Sequence, residues 1–117
     1  LGGATRARDI VAAVRAEAGP GVRFVTSSAL ETSVGLAAAA GLAAWVDGLG
    51  GDLDHGLGTA ALLAADVTAE PLLPRDGRIP LRDIAPDPGL LDQYAAAPDR
   101  AAWWLDRLRR CAALLPA

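Results

Sequence analysis

The chain has no lysine and no methionine, and all 11 of its basic residues are arginine. No lysine-based proton transfer or covalent chemistry can therefore arise from these residues themselves. There is one histidine, His55, and one cysteine, Cys111. A lone cysteine cannot close an internal disulfide, which favours a reducing compartment, so a cytoplasmic location is expected. His55 has no ligand-type neighbour at metal-binding spacing, and Asp52 and Asp54 before it fall in a glycine-rich loop as solvated acids, so no metal site is predicted. Aromatic residues make up 4% of a chain that is 52% hydrophobic, so Ala, Leu and Val supply most of the apolar surface. Such small side chains let helices approach closely but bury little area each, and stability in isolation is expected to be low. A net charge of −3 argues against a nucleic-acid surface. Arg100, Arg107, Arg109 and Arg110 share their stretch with Asp99 and Asp106, the pattern of a solvated helix face. No signal peptide is evident. The apolar run from Val34 to Val46 is too short, and too rich in Ala and Gly, for a membrane span of about 20 residues.

What is present is an alternation of helix and strand. Thr5 to Ala18 carries an apolar stripe of Ile10, Val11 and Val14 with charged residues opposite, and Gly19-Pro20-Gly21 stops it. Val22 to Thr26 predicts a short buried strand. A helix apolar nearly all round is expected from about Glu31 to Asp47, as if pressed against a sheet. A very short strand follows around His55, then a helical segment from Thr59 to Asp66. This order builds parallel sheets, yet two strands cannot make a free-standing one, so more strands are required than the chain supplies. A sequence that opens at Leu1 without a methionine is expected to belong to something longer.

From Glu70 the texture changes. Asp76-Gly77 sits between two short apolar arms and signals a hairpin, with Pro74 and Pro80 confining it to an edge. A short helix is predicted over Leu90 to Ala96. Asp99 is expected to cap a last amphipathic helix, reaching Leu115, that partly buries Ala102, Trp103, Leu105, Leu108, Ala112 and Leu115. Of the Trp103-Trp104 doublet, one ring is expected in the core and one over an edge.

Candidate site residues lie where ligands bind in α/β barrels, on loops after the carboxyl ends of strands. Thr26, Ser27 and Ser28 hold that position after the first strand, Gly56 and Gly58 after the second. Hydroxyls beside a helix N-terminus favour an anion, and glycines let backbone N–H groups approach a ligand. The competing interpretation is that Ser27 and Ser28 cap the helix and that the glycines only allow a tight turn. Glu31 fits a capping partner better than a general base. Neither serine has an adjacent base to make it a nucleophile.

Val25-Thr-Ser-Ser-Ala-Leu-Glu-Thr-Ser-Val-Gly-Leu36, Gly56-Leu-Gly-Thr59, Leu62-Leu-Ala-Ala-Asp-Val-Thr68, Pro71-Leu-Leu-Pro74, Asp76-Gly77 and Ala101-Ala-Trp-Trp-Leu105 together resemble the C-terminal part of the o-succinylbenzoate synthase family, a branch of the enolase superfamily, in its actinobacterial form. The resemblance spans essentially the whole chain. It implies an α/β fold, the C-terminal portion of a (β/α)7β TIM-like barrel. Residues 1–69 would supply strands seven and eight with their helices, and residues 70–117 a hairpin and helices packing on the barrel and on an N-terminal capping domain. The family dehydrates 2-succinyl-6-hydroxy-2,4-cyclohexadiene-1-carboxylate to o-succinylbenzoate in menaquinone biosynthesis. In it a lysine removes the proton alpha to a carboxylate while Mg²⁺, held by three carboxylates, stabilises the enediolate. Those lysines and acids belong to earlier strands, so no catalytic or metal-binding residue carries over. What carries over is the substrate edge, Ser27, Ser28, Gly56 and Gly58, which in the family lies where the succinyl carboxylate is held. The chain alone is thus expected to be inactive, with the remaining barrel, the capping domain and a small anionic substrate as its partners.

Two alternatives remain open at the level of sequence. One is an N-acylamino acid racemase or dipeptide epimerase of the same superfamily, although the Gly56-Leu-Gly-Thr59 loop lacks the acidic pattern usual there. The other is a non-catalytic α/β interaction module that docks through its last helix.

Overall fold

Helices form where sequence supplies an apolar face and a stop. The computed structural model describes residues 3–51 and 53–115; Asp52 and the terminal pairs lie outside them. Helix α1 spans Gly3–Ala18 and ends where Gly19, at φ 84°, donates its N–H to the Arg15 carbonyl at 3.0 Å. Helix α2 spans Ser33–Asp47 and buries Ser33, Leu36, Ala40, Ala43 and Val46, a stripe at helical spacing. It begins two residues later than expected, with Thr32 at the N-cap and no side-chain cap bond. Helix α1 lies against α2, with the Arg8 guanidinium 5.0 Å from the centre of the Trp45 ring and Arg15 Nη1 donating to the Leu49 carbonyl.

The expected barrel strands are not formed as strands. Among the described residues the parallel pairing is a single bridge between Ser27 and Gly56. Ser28 N–H donates to the Gly56 carbonyl and Gly56 N–H to the Thr26 carbonyl, both at 2.9 Å. The direction and partners are those of two neighbouring parallel strands, but Val22 to Val25 has no ladder. A parallel sheet is built with neighbours and helices on both faces, and this chain offers one pair of short edges.

The helix expected over Thr59 to Asp66 is also shorter, a 3₁₀ turn over Thr59–Leu62. Leu63 is extended at φ −78°, ψ 138°, and this turns the chain so that Asp66 reaches back to α2. Beyond it, Asp76 (φ 50°) and Gly77 (φ 72°) are both left-handed between the bridged pair Arg75 and Arg78, a type I′ turn. That segment packs on α2: Leu36, Ala40, Ala43, Leu57, Ala60 and Leu72 form the core, with Ile79 and Ile84 against it. Leu36 is fully buried. Leu36→Ala should therefore lower stability by about 3 kcal/mol, read as a shift in the urea midpoint of the complete protein with unchanged m-value.

Helix α3, Pro88–Gln93, is capped by the Asp87 carboxylate, which accepts from Leu90 N–H at 3.0 Å. Helix α4, Pro98–Ala112, starts on Pro98 after Ala97, so Asp99 does not cap it and instead places its charge in the first turn. No residue of α4 is buried. Trp103, Leu105, Leu108 and Leu115, expected to be partly buried, are all exposed. Both tryptophans are outside the core, packed edge to face at 4.8 Å with Arg100 over their rings. The amphipathic pattern was sound, but its apolar side has no surface to meet in this chain. The radius of gyration is accordingly 16.5 Å, against roughly 13 Å for a compact chain of this length.

Candidate functional site

The two tips named from sequence are brought together. The Ser27–Gly56 bridge sets the hydroxyl tip, Thr26 to Ser28, beside the glycine tip, Gly56 to Thr59. Their side chains tie them further. Ser28 Oγ donates to the Gly56 carbonyl at 3.1 Å, which leaves the Thr59 hydroxyl as the donor in the 2.7 Å contact between Thr59 Oγ1 and Ser28 Oγ. Thr59 was not singled out from sequence as a member of the site. Ser27 differs from Ser28: it is exposed, and its hydroxyl makes one long 3.4 Å contact with the Ser28 carbonyl. Ser27 is thus the hydroxyl of the pair left available to a ligand.

The two glycines also differ. A Cβ on Gly56 would stand 3.2 Å from Ser27 Oγ, so the missing side chain lets the tips close on each other. Around Gly58 there is nothing within 4 Å of such a Cβ. Packing within the chain does not demand glycine there, and the space above it is open.

The α2 N-terminus is not the anion site that the sequence suggested. Asp66 fills it: its carboxylate accepts from Ser33 N–H at 3.0 and 3.2 Å, from Ser33 Oγ–H at 2.6 Å and from Val67 N–H at 2.7 Å. Ser33 Oγ in turn accepts from Leu72 N–H at 2.7 Å, which fastens the later segment to the same point. A carboxylate at the positive end of the helix dipole is the favoured arrangement. Sequence reasoning missed it because Asp66 is 33 positions from Ser33. Ser27 and Ser28 lie too far upstream to cap α2 and make none of these bonds, which removes the capping interpretation.

Glu31 does not form a capping box either. Its carboxylate turns back onto the loop and accepts from the N–H groups of Ala29, at 2.9 and 3.0 Å, and of Leu30, at 3.2 Å. It thereby braces Leu30, held at φ 149°, a conformation that disfavours a side chain. Gly35 makes room for this, since a Cβ there would meet Glu31 Cβ at 2.9 Å. A carboxylate bound by two amides is placed to shape the loop, not to take a proton.

His55 sits beneath the tips with its side chain 12% exposed. Nδ1 is 2.9 Å from Thr26 N and Nε2 is 3.0 Å from Asp47 Oδ1. No group of three or more His, Cys, Asp and Glu side chains able to hold a metal occurs among the described residues. Two cavities, of about 480 and 660 Å³, lie between α2 and the segment around the Asp76-Gly77 turn. Neither includes Ser27 or Ser28; the larger touches the site only at His55, Leu57 and Gly58. The hydroxyl tip is open surface in this chain.

No family model matches the chain. Individual proteins do. It is 42% identical to a protein of Mycobacterium ulcerans, and 41% identical to proteins of Mycobacterium marinum and Mycobacterium tuberculosis. These relatives are o-succinylbenzoate synthases. Each alignment covers 98% of this chain and 32% of the relative, so the chain spans about a third of the length of these relatives and matches their C-terminal part. These relatives are of the family that the residues resemble. Among the described residues no helix is long and apolar enough to cross a membrane.

Proposed function

We propose that this chain serves as the C-terminal part of an o-succinylbenzoate synthase, a carbon–oxygen lyase of the cytoplasm that dehydrates 2-succinyl-6-hydroxy-2,4-cyclohexadiene-1-carboxylate to o-succinylbenzoate. The similarity along the whole chain carries the proposal. On this reading, Val22 to Thr26 and the residues around His55 are barrel strands seven and eight, completed by neighbours from the rest of the enzyme. The bridge between Ser27 and Gly56 supports that placement, since adjacent parallel strands pair in this way.

The chemistry of these residues is binding. The absence of lysine and of a metal-ligand cluster among the described residues does not fit a proton-abstracting amine or Mg²⁺ held here. Those groups belong to the remainder of the enzyme, and no step of the reaction is assigned to this segment. The two tips are proposed to hold the succinyl carboxylate: Ser27 Oγ donates to it, Ser28 is kept in place by Thr59, and Gly58 leaves the space the ligand fills. A hydroxyl donating to a carboxylate is a charge-assisted hydrogen bond.

In the complete enzyme, Ser27→Ala should raise KM for the substrate about tenfold or more, the worth of a hydrogen bond to a charged group. Ser28→Ala should raise KM less, indirectly, by loosening the contact with Gly56 and Thr59 that holds the tip in place. Affinity for Mg²⁺, titrated separately, should stay unchanged. A loss of metal affinity with an unaltered KM would place these hydroxyls in another role.

A further inference from the structure

We propose that His55 is a positioning residue: its neutral imidazole is a strut between the end of α2 and the backbone of Thr26, and it fixes where the Ser27 hydroxyl stands. This rests on the proposal that the two tips form the substrate edge.

The hydrogen bonds decide the state of the ring. A backbone N–H can only donate, so Nδ1, 2.9 Å from Thr26 N, carries the lone pair and Nε2 carries the proton. Nε2–H then donates to Asp47 Oδ1 at 3.0 Å. Asp47 is the last residue of α2, at the negative end of the helix dipole, where a carboxylate is disfavoured. The bond to His55 gives that unfavourable placement a purpose.

The strut and the end of it at Thr26 are both adjacent to the site in sequence. Thr26 precedes Ser27 and His55 precedes Gly56. Thr26 uses its N–H on the His55 ring and its carbonyl on Gly56 N–H, so the consecutive residues His55 and Gly56 hold both backbone groups of Thr26. Thr26 is 8% exposed, and removing the ring would leave its amide buried without a partner. Packing alone does not fix the ring, because it borders the cavity of about 660 Å³ that Asp54 and Arg78 also line. The His55 ring bonds to Thr26 N and Asp47 Oδ1, so its influence on the Ser27 hydroxyl runs through Thr26.

The test uses two variants of the complete enzyme. His55→Phe keeps a planar ring and loses both bonds. His55→Asn places an amide oxygen where Nδ1 stands and keeps the acceptor for Thr26. KM should rise about tenfold in His55→Phe with kcat within about twofold of the original, as expected if the Ser27 hydroxyl loses its charge-assisted bond once Thr26 N–H has no acceptor. It should return to within about threefold in His55→Asn, which restores that acceptor. Nitrogen-15 NMR of the unsubstituted enzyme should show Nδ1 unprotonated and Nε2 protonated, and Thr26 amide exchange should accelerate in His55→Phe. An unchanged KM and Thr26 exchange in His55→Phe, or a protonated Nδ1, would overturn the strut. Should His55→Phe not fold, His55→Asn and the ring spectrum decide the matter. If the unsubstituted enzyme dehydrates no substrate, the proposed function fails by itself, and ring protonation with Thr26 exchange still judges His55.

Discussion

Asp66→Ala is expected to lower the stability of the complete enzyme by about 2–4 kcal/mol, among the largest effects of a single substitution in this segment. The side chain accepts from the Ser33 amide, the Ser33 hydroxyl and the Val67 amide, and Ser33 is fully buried. Alanine would strand those donors away from water, and an unsatisfied buried donor costs more than the hydrogen bond itself contributes. It would also uncover the positive end of α2 and free Ser33 Oγ from its hold between Asp66 and Leu72 N–H. Asp66→Asn keeps one acceptor oxygen but turns an NH₂ group towards donors, so it should lie between wild type and Asp66→Ala. Urea unfolding with the three proteins side by side gives the order. Equal midpoints for all three would mean that the Asp66 network contributes nothing net.

The second large effect concerns the chain by itself. Residues 1–117, purified without the rest of the enzyme, are expected to give no cooperative thermal transition and no dehydration. The buried hydrophobic set is small and consists largely of alanine and leucine: Val11, Leu36, Ala40, Ala43, Val46, Leu57, Ala60 and Leu72. Meanwhile Val25, Leu62, Leu81, Trp104 and Leu114 are each more than half exposed. Apolar burial is what offsets the conformational entropy of ordering a chain, and here much of it is left undone. Proteolysis should accordingly cut first between α3 and α4, where nothing packs. A sharp calorimetric peak from the isolated chain would contradict both the energetic argument and its place in a barrel.

Much of this was legible in the residues. The apolar run from Val34 to Val46 marked α2 as a helix pressed against other structure, and Asp76-Gly77 marked its turn, because both signals are local. A helix apolar nearly all round did not show that Leu36, Ala40, Ala43 and Val46 would be its buried stripe. The nearness of Ser27 and Ser28 to Gly56 was also foreseen, since consecutive parallel strands place their carboxyl ends side by side. What could not be foreseen depends on long-range partners. Asp66 on Ser33 and His55 on Thr26 and Asp47 are pairings that no periodicity encodes. They moved the α2 start, cut short the helix after Thr59 and took the helix pole away from any ligand. The α4 pattern was correct as a pattern and misleading about burial, because amphipathicity says that a face seeks cover and not that the chain contains it.

The internal occupant of the α2 pole has a bearing on selectivity. With Asp66 already neutralising that dipole, a carboxylate at the proposed site would meet the Ser27 hydroxyl with little added field from the helix. Discrimination at these tips should follow the shape and lone-pair directions of the ligand more than its ionisation. An uncharged amide isostere should therefore forfeit less affinity here than it would at an open helix end.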